Sequence, residues 1–181
     1  MSPRSVMMAG MKTTTIQLVA SPSSTYPVVP CHIVAADHPS LERDVEEFLC
    51  HLSKERRFFG PSASSNPKPF PSLIRALSER GGFRLAAIEC GRVIGLVRVD
   101  QVSELHIAVA VEHRGLGIGT ALGQAALDRA MVLEYTRVVM RTTRRSKAAR
   151  RAGEAMGCTV VENVRGRTDL IALLPTGLRS A

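Results

Sequence analysis

Ser103-Glu104-Leu105-His106-Ile107-Ala108-Val109-Ala110-Val111-Glu112-His113-Arg114-Gly115-Leu116-Gly117-Ile118-Gly119-Thr120-Ala121-Leu122 is the stretch on which the reading of the fold turns. Its first half alternates, so that Leu105, Ile107, Val109 and Val111 point one way and Glu104, His106, Ala108 and Ala110 the other. That period of two predicts a strand from Glu104 to Val111. Its second half predicts a helix over Gly117 to Glu134, because Ile118, Leu122, Ala126, Ala130 and Leu133 recur in steps of three or four. Between them Gly115, Gly117 and Gly119 allow a sharp turn and a close approach of backbone to ligand. A helix opening there presents unpaired N–H groups and the positive end of its dipole, which suits a pyrophosphate.

Working outward, the chain of 181 residues is one domain's worth of sequence. Residues 1–30, with Met7, Met8 and Met11, a threonine run and Ser21-Pro22-Ser23-Ser24, are expected to form a flexible leader, although a strand over Ile16–Ala20 is the alternative. Order is expected from a strand near Val29–Ala35, then a helix capped by Asp37 or Ser40 with Leu41, Val45, Phe48, Leu49 and Leu52 on one face. A short helix over Pro71–Arg80 ends at Gly81-Gly82. Strands over Phe83–Glu89 and Val93–Val99 flank a hairpin turn at Cys90-Gly91-Arg92. After the central helix come a strand (Val138–Arg141), a helix (Ser146–Met156) and two strands (Thr159–Asn163, Asp169–Leu174).

Composition narrows the function classes. Net charge is +8, which attracts anions without choosing among them. Aromatics make up 4% and Trp is absent, which disfavours nucleic-acid binding through stacked rings. Cys31, Cys50, Cys90 and Cys158 lie far apart, without zinc-site spacing, so no metal is expected. No apolar run reaches membrane-span length and no secretory pattern opens the chain; the expectation is no membrane and a cytoplasmic chain with reduced thiols. The basic run Arg137, Arg141, Arg144, Arg145, Lys147, Arg150, Arg151 reads first as a solvated face.

The glycine turn fits neither a dinucleotide fingerprint, since Thr120 stands at the last glycine position, nor a P-loop, since no Gly-Lys-Ser/Thr triplet occurs. The spacing Arg114-x-x-Gly117-x-Gly119, and the wider Ile107–Leu122, resemble the acetyl-CoA loop of the GNAT (Gcn5-related N-acetyltransferase) superfamily. The element order over about residues 31–175 is similar too. The resemblance implies an α/β (α+β) fold, a mixed and mostly antiparallel sheet of about six or seven strands flanked by about four helices. It implies a domain over 31–176 between the leader and a tail at 177–181. It implies acetyl-CoA as co-substrate, the backbone of Ile107, Ala108 and Val109 pairing with the pantetheine arm, and Arg114, Gly115, Leu116, Gly117, Ile118, Gly119 and Thr120 holding the pyrophosphate.

Ser103-Glu104-Leu105-His106-Ile107, with Leu52-Ser53-Lys54-Glu55-Arg56-Arg57-Phe58-Phe59, also resembles bacterial protein lysine acetyltransferases that modify acyl-CoA synthetases. That narrower resemblance makes Glu104 the general base and a protein lysine, in an acyl-CoA synthetase or another protein, the acceptor. A small amine acceptor and a non-catalytic acyl-CoA-binding regulator are the alternatives, and a homodimer is left open. Many GNAT enzymes carry a tyrosine four residues before the glycine that follows the last helix; here Gly153 stands at that position, ahead of Gly157, and Tyr135 is a poor substitute.

Overall fold

The computed structural model describes residues 14–16, 31–54, 69–143, 146–162 and 167–174. Among the described residues, eight strands and four α-helices run in the order β1 (Thr14–Ile16), β2 (Cys31–Ala35), α1 (Glu42–Lys54), α2 (Pro69–Ser78), β3 (Phe83–Glu89), β4 (Arg92–Val99), β5 (Leu105–Val109), α3 (Ile118–Val132), β6 (Arg137–Thr143), α4 (Lys147–Ala155), β7 (Thr159–Glu162) and β8 (Arg167–Leu173). The expected order is present, with boundaries moved by a few residues. The additional strand β1 falls within the stretch read as a leader and ends at Ile16, where the alternative strand was to begin; it pairs antiparallel with β2.

Two local readings are corrected. Neither Asp37 nor Ser40 caps α1. A single 3-10 turn, Pro39–Leu41, precedes that helix, and its cap is His38, whose Nδ1 accepts from the Ser40 N–H. Asp37 instead takes the Nε and backbone N–H of Arg84 at 2.9 and 3.0 Å, tying the end of β2 to β3. Secondly, the β5 alternation stops at Val109. Ala110 leads into a 3-10 turn, Val111–His113, and Val111 is exposed, so it leaves the apolar row. Leu133 is likewise exposed, just beyond the end of α3.

The β3–β4 hairpin closes through Cys90 (φ 48°) and Gly91 (φ 76°), two residues in the left-handed region, as a tight two-residue hairpin requires. All pairings within the two hydrogen-bonded sheets are antiparallel. One sheet has the order β1-β2-β3-β4-β5 and the other β6-β8-β7. A parallel bridge between Glu104 and Val139 joins them, with the Val139 N–H donating to the Ser103 carbonyl at 2.8 Å.

Both faces of the central strands are buried. On one face Leu85, Val97, Val99 and Leu105 meet Ile118, Leu122 and Ala126 of α3, with Met140 and Leu170 from the second sheet. On the other, Ala86, Leu96, Ala108 and Ala110 meet Val45, Phe48, Leu49 and Leu52 of α1 and Leu77 of α2. The Ala108/Ala110 side of β5 is therefore interior as well, its small side chains lying beneath the two N-terminal helices. Close approach of α3 depends on Gly95 of β4, where an added Cβ would lie 2.8 Å from Leu122 Cδ1.

Candidate active site

The corner between β5 and α3 is built by its glycines. Gly115 (φ 81°) and Gly117 (φ 83°) adopt left-handed backbone, and a Cβ at either would meet nothing within 4 Å. These two glycines are thus required for the turn, not for lack of room beside them. Gly119 differs: its φ is ordinary and a Cβ there would rest 3.7 Å from Val109 Cγ2. Gly117 caps α3 without any side-chain hydrogen bond, and the first α-helical bond of α3 runs from the Ala121 N–H to the Gly117 carbonyl at 3.0 Å. The N–H groups of Ile118, Gly119 and Thr120 precede that bond and have no carbonyl within the helix to pair with. Leu116 is exposed on the loop, and Arg114 Nε donates to the Val109 carbonyl at 2.9 Å, fastening the loop to the end of β5.

Beside this corner the two sheets diverge. Asp100 N–H to Glu104 carbonyl (3.0 Å) and Ala110 N–H to Ile94 carbonyl (2.9 Å) set the phase of the β4–β5 ladder. Alternate residues of an antiparallel pair exchange hydrogen bonds. Ala108 and His106 therefore bond to β4, and Ile107 and Val109 turn their amides the other way, toward β6. Of the three residues expected to offer backbone to a pantetheine arm, Ala108 is directed away from the gap. β5 and β6 touch at the Glu104–Val139 bridge and the described strands make no further bridge beyond it. The result is a V whose apex is Glu104 and whose open end lies at the glycine corner.

Glu104 is held at that apex. Its N–H donates to Asp100 Oδ1 at 2.7 Å, and Ser103 before it is in left-handed backbone (φ 68°). Its carboxylate, about one-fifth exposed (19%), takes Arg141 Nη1 at 2.5 Å. Arg141 stands on β6, more than half exposed (56%). The alternation of β6 buries Val138 and Met140 on the α3 side, so Arg141 lies on the α1/α2 face with Glu104. His106 shares that face, its Nε2 3.8 Å from Asp100 Oδ2. One ligand atom from each of Asp100, Glu104 and His106 falls within 4.8 Å of the others. The Arg141 guanidinium already supplies positive charge to that group, which weighs against a metal ion there.

Of the other residues singled out, Tyr135 packs edge-on to Phe83 (centroids 6.1 Å) and donates from its hydroxyl to the Asp100 carbonyl at 3.4 Å, a core role. Gly153 is buried on α4 where a Cβ would lie 2.7 Å from Leu170 Cδ1; the helix rests on β8 and leaves no room for a side chain there. Cys158 is half-buried against the core. Within the basic run, Arg137, Arg141, Lys147 and Arg151 are exposed, and Arg144 and Arg145 lie outside the described residues. So do residues 55–68. Sequence reasoning missed Asp100 and the role of Arg141. Asp100, just after a strand, carries the ordinary mark of a turn. Arg141 gave no signal, because its link to Glu104 spans 37 positions through a parallel register.

The model of the acetyltransferase (GNAT) family matches residues 47–158. N-acetylaspartate synthetase of Xenopus tropicalis is 37% identical over 81 residues, 41% of this chain; the match spans only 30% of that protein's length. Among solved structures, the GNAT domain of S. lividans PAT superposes with a TM-score of 0.62 at 18% identity, over 81% of this chain and 92% of that one. yncA of Salmonella typhimurium, solved with its cofactor acetyl-CoA, gives 0.57 at 16% identity over 82% and 96%. The ribosomal-protein-S18-alanine N-acetyltransferase of Escherichia coli gives 0.57 at 14% over 83% and 96%. At these identities the structures speak for the fold.

Proposed function

The chain belongs to the acetyltransferase (GNAT) family, and from that premise we propose that it transfers the acetyl group of acetyl-CoA to a primary amine, with a protein lysine as the acceptor the sequence motifs favour. The observation that carries the reading is the V between β5 and β6, closed at Glu104 and open beside a glycine corner with unpaired helix N–H groups. In this reading the Gly115–Thr120 backbone receives the pyrophosphate and the inward-turned amides of Ile107 and Val109 receive the pantetheine arm. The thioester then comes to rest along β5 between Val109 and the apex.

The chemistry follows from what the apex offers. An amine of pKa roughly 10.4 arrives protonated and is not a nucleophile until it loses a proton. Glu104 takes that proton, directly or through a water. The amine nitrogen attacks the acetyl carbonyl carbon, the C–N bond forms, the nitrogen gives up its second proton to solvent, the C–S bond breaks, and the electron pair leaves on the CoA sulfur. The Val109 N–H polarises the carbonyl oxygen. With Gly153 supplying no acid, the thiolate leaves and is protonated by solvent or by the proton Glu104 has gained. No step calls for a metal. Holding both substrates in one cleft supplies part of the acceleration.

A second acceptor class, a small amine, is favoured by the stretch shared with N-acetylaspartate synthetase. Calorimetric titration with acetyl-CoA, followed by CoA-thiol release with a panel of proteins and small amines, tests the reading. Saturable binding with release of CoA upon adding an amine is expected. Absence of acetyl-CoA binding would end the proposal, and binding without turnover on any amine would leave only a regulatory role.

A further inference from the structure

The resting contact between Glu104 and Arg141 is a difficulty for the proposed base, and its geometry points to the chemistry of the acceptor. The ion pair lies on the α1/α2 face at the apex of the V. One member is mostly buried and the other mostly exposed. A guanidinium has five N–H donors. Among the described residues the bond from Nη1 to Glu104 Oε2 is the contact the Arg141 guanidinium makes, and with the side chain more than half exposed its other N–H groups are open to a ligand. Arg137, exposed four positions earlier on the same face of β6, adds positive charge to that face. Asp100 and His106 lie on the other flank of Glu104.

A bare ammonium approaching this pair meets a carboxylate already neutralised and a guanidinium that repels it. An amine that also carries a carboxylate meets a complement. Its carboxylate can take the outward N–H groups of Arg141 in the bidentate manner that guanidinium favours. Its ammonium then lies against Glu104, so that charges of opposite sign meet at both ends of the acceptor. The Arg141–Glu104 contact is replaced by one with the acceptor on each side, which frees Glu104 to accept the ammonium proton. We propose that Arg141 binds a carboxylate of the acceptor, so that the preferred substrate is an amine with a carboxylate close to the reacting nitrogen. The inference rests on the reading of Glu104 as base. Two sources share this chemistry: a free α-amino acid, or a protein lysine flanked by acidic residues.

The test compares matched acceptors on the full chain: L-alanine against ethylamine, L-lysine against cadaverine, and a peptide with lysine between aspartates against one with lysine between alanines. The carboxylate-bearing member of the productive pair is expected to have a kcat/KM at least about tenfold higher, and whether an amino acid or the peptide turns over identifies the source. Arg141→Gln should lower kcat/KM for that acceptor by about 10- to 100-fold, mostly through KM, while the carboxylate-free amine shows no such loss and gains from removal of the repelling charge. Arg141→Lys should restore part of the loss. Acetyl-CoA affinity, measured by calorimetry, should be unchanged in both variants. Equal rates for matched acceptors, or an equal loss on both in Arg141→Gln, would overturn the proposal while leaving the acetyltransferase reading intact. If no amine of either kind is acetylated by a protein that binds acetyl-CoA, the functional reading falls and this inference with it.

Discussion

At the scale of single residues, Glu104 and the corner glycines make separable predictions. Glu104→Gln keeps the hydrogen bond that its backbone makes to Asp100 and can still accept from Arg141, so the fold of the apex should survive. What it loses is the ability to take a proton. Its kcat should fall by about 10²- to 10⁴-fold with acetyl-CoA affinity unchanged, read by initial rates beside calorimetry. A loss of less than about threefold would remove Glu104 from the chemistry. Gly117→Ala forces a Cβ onto left-handed backbone, which costs on the order of 1 kcal/mol, and tilts the first N–H groups of α3. It should lower the unfolding free energy by about that amount and weaken acetyl-CoA binding by about tenfold. Gly119→Ala has ordinary dihedrals and an ordinary 3.7 Å contact with Val109, so it should be as stable as the native chain or up to about 1 kcal/mol more stable. The contrast separates glycine needed for conformation from glycine tolerated beside a ligand. These glycines were legible in sequence because a left-handed turn before a helix leaves few residue choices. The Arg141 partnership was not, because nothing local in Arg137–Thr143 encodes which residue lies across a parallel bridge.

At the scale of elements, periodicity located strands and helices but not what closes them. α2 ends at Ser78, two residues short of the expected end at Arg80 before Gly81-Gly82, and Arg98 serves the carbonyls at that end. This buried residue of β4 donates Nη1 to the Ala76 carbonyl at 2.8 Å, Nε to Gly81 at 3.2 Å and Nη2 to Arg80 at 3.4 Å. Unpaired carbonyls at a helix C-terminus carry partial negative charge, and a guanidinium there answers both hydrogen bonding and dipole. In a strand read as apolar, an arginine looks like a solvent-facing exception, so its role could not be anticipated. Arg98→Met keeps much of the volume and strips the acceptors of their donors. It should destabilise the chain by about 2–4 kcal/mol in urea unfolding, with α2 losing amide protection before the β3–β4 hairpin. A change below about 0.5 kcal/mol would mean that water replaces the guanidinium without penalty. Gly153 teaches a related lesson. The residue looked like a missing acid, whereas its place against Leu170 shows a packing requirement of α4 on β8.

For the whole molecule, element order was readable because each segment announces its own period, and the order alone excluded most alternatives. The division into two hydrogen-bonded sheets meeting at one bridge was not readable, since it depends on where β5 and β6 stop pairing. Burial on both faces also escaped the strict alternation of β5: alanines at 108 and 110 look neutral in sequence and become interior only once α1 and α2 cover them. The same burial governs the thiols. Desolvation raises Cys31 above the usual thiol range, with the charge of Glu89 adding to it against a smaller opposing hydrogen bond from Ile88, and desolvation raises Cys158. Cys50 and Cys90 are exposed. Alkylation at pH 8 should therefore modify Cys50 and Cys90 first, by peptide mass mapping. The stability consequence has a definite sign. A thiol whose pKa is higher folded than unfolded binds more protons in the folded state once pH exceeds the unfolded value, so stability falls as pH rises. The contribution is complete below the unfolded thiol pKa of about 8.5 and is lost as pH climbs through the folded values. Lysines titrate in the same region, so the measurement is a difference. Urea unfolding from pH 7 to 10.5 should fall more steeply for the native chain than for Cys31→Ala/Cys158→Ala, whose curve starts lower and runs flatter. Parallel curves would mean that these thiols are no harder to ionise folded than unfolded, and that the core around β2 and β7 admits more water than its packing implies.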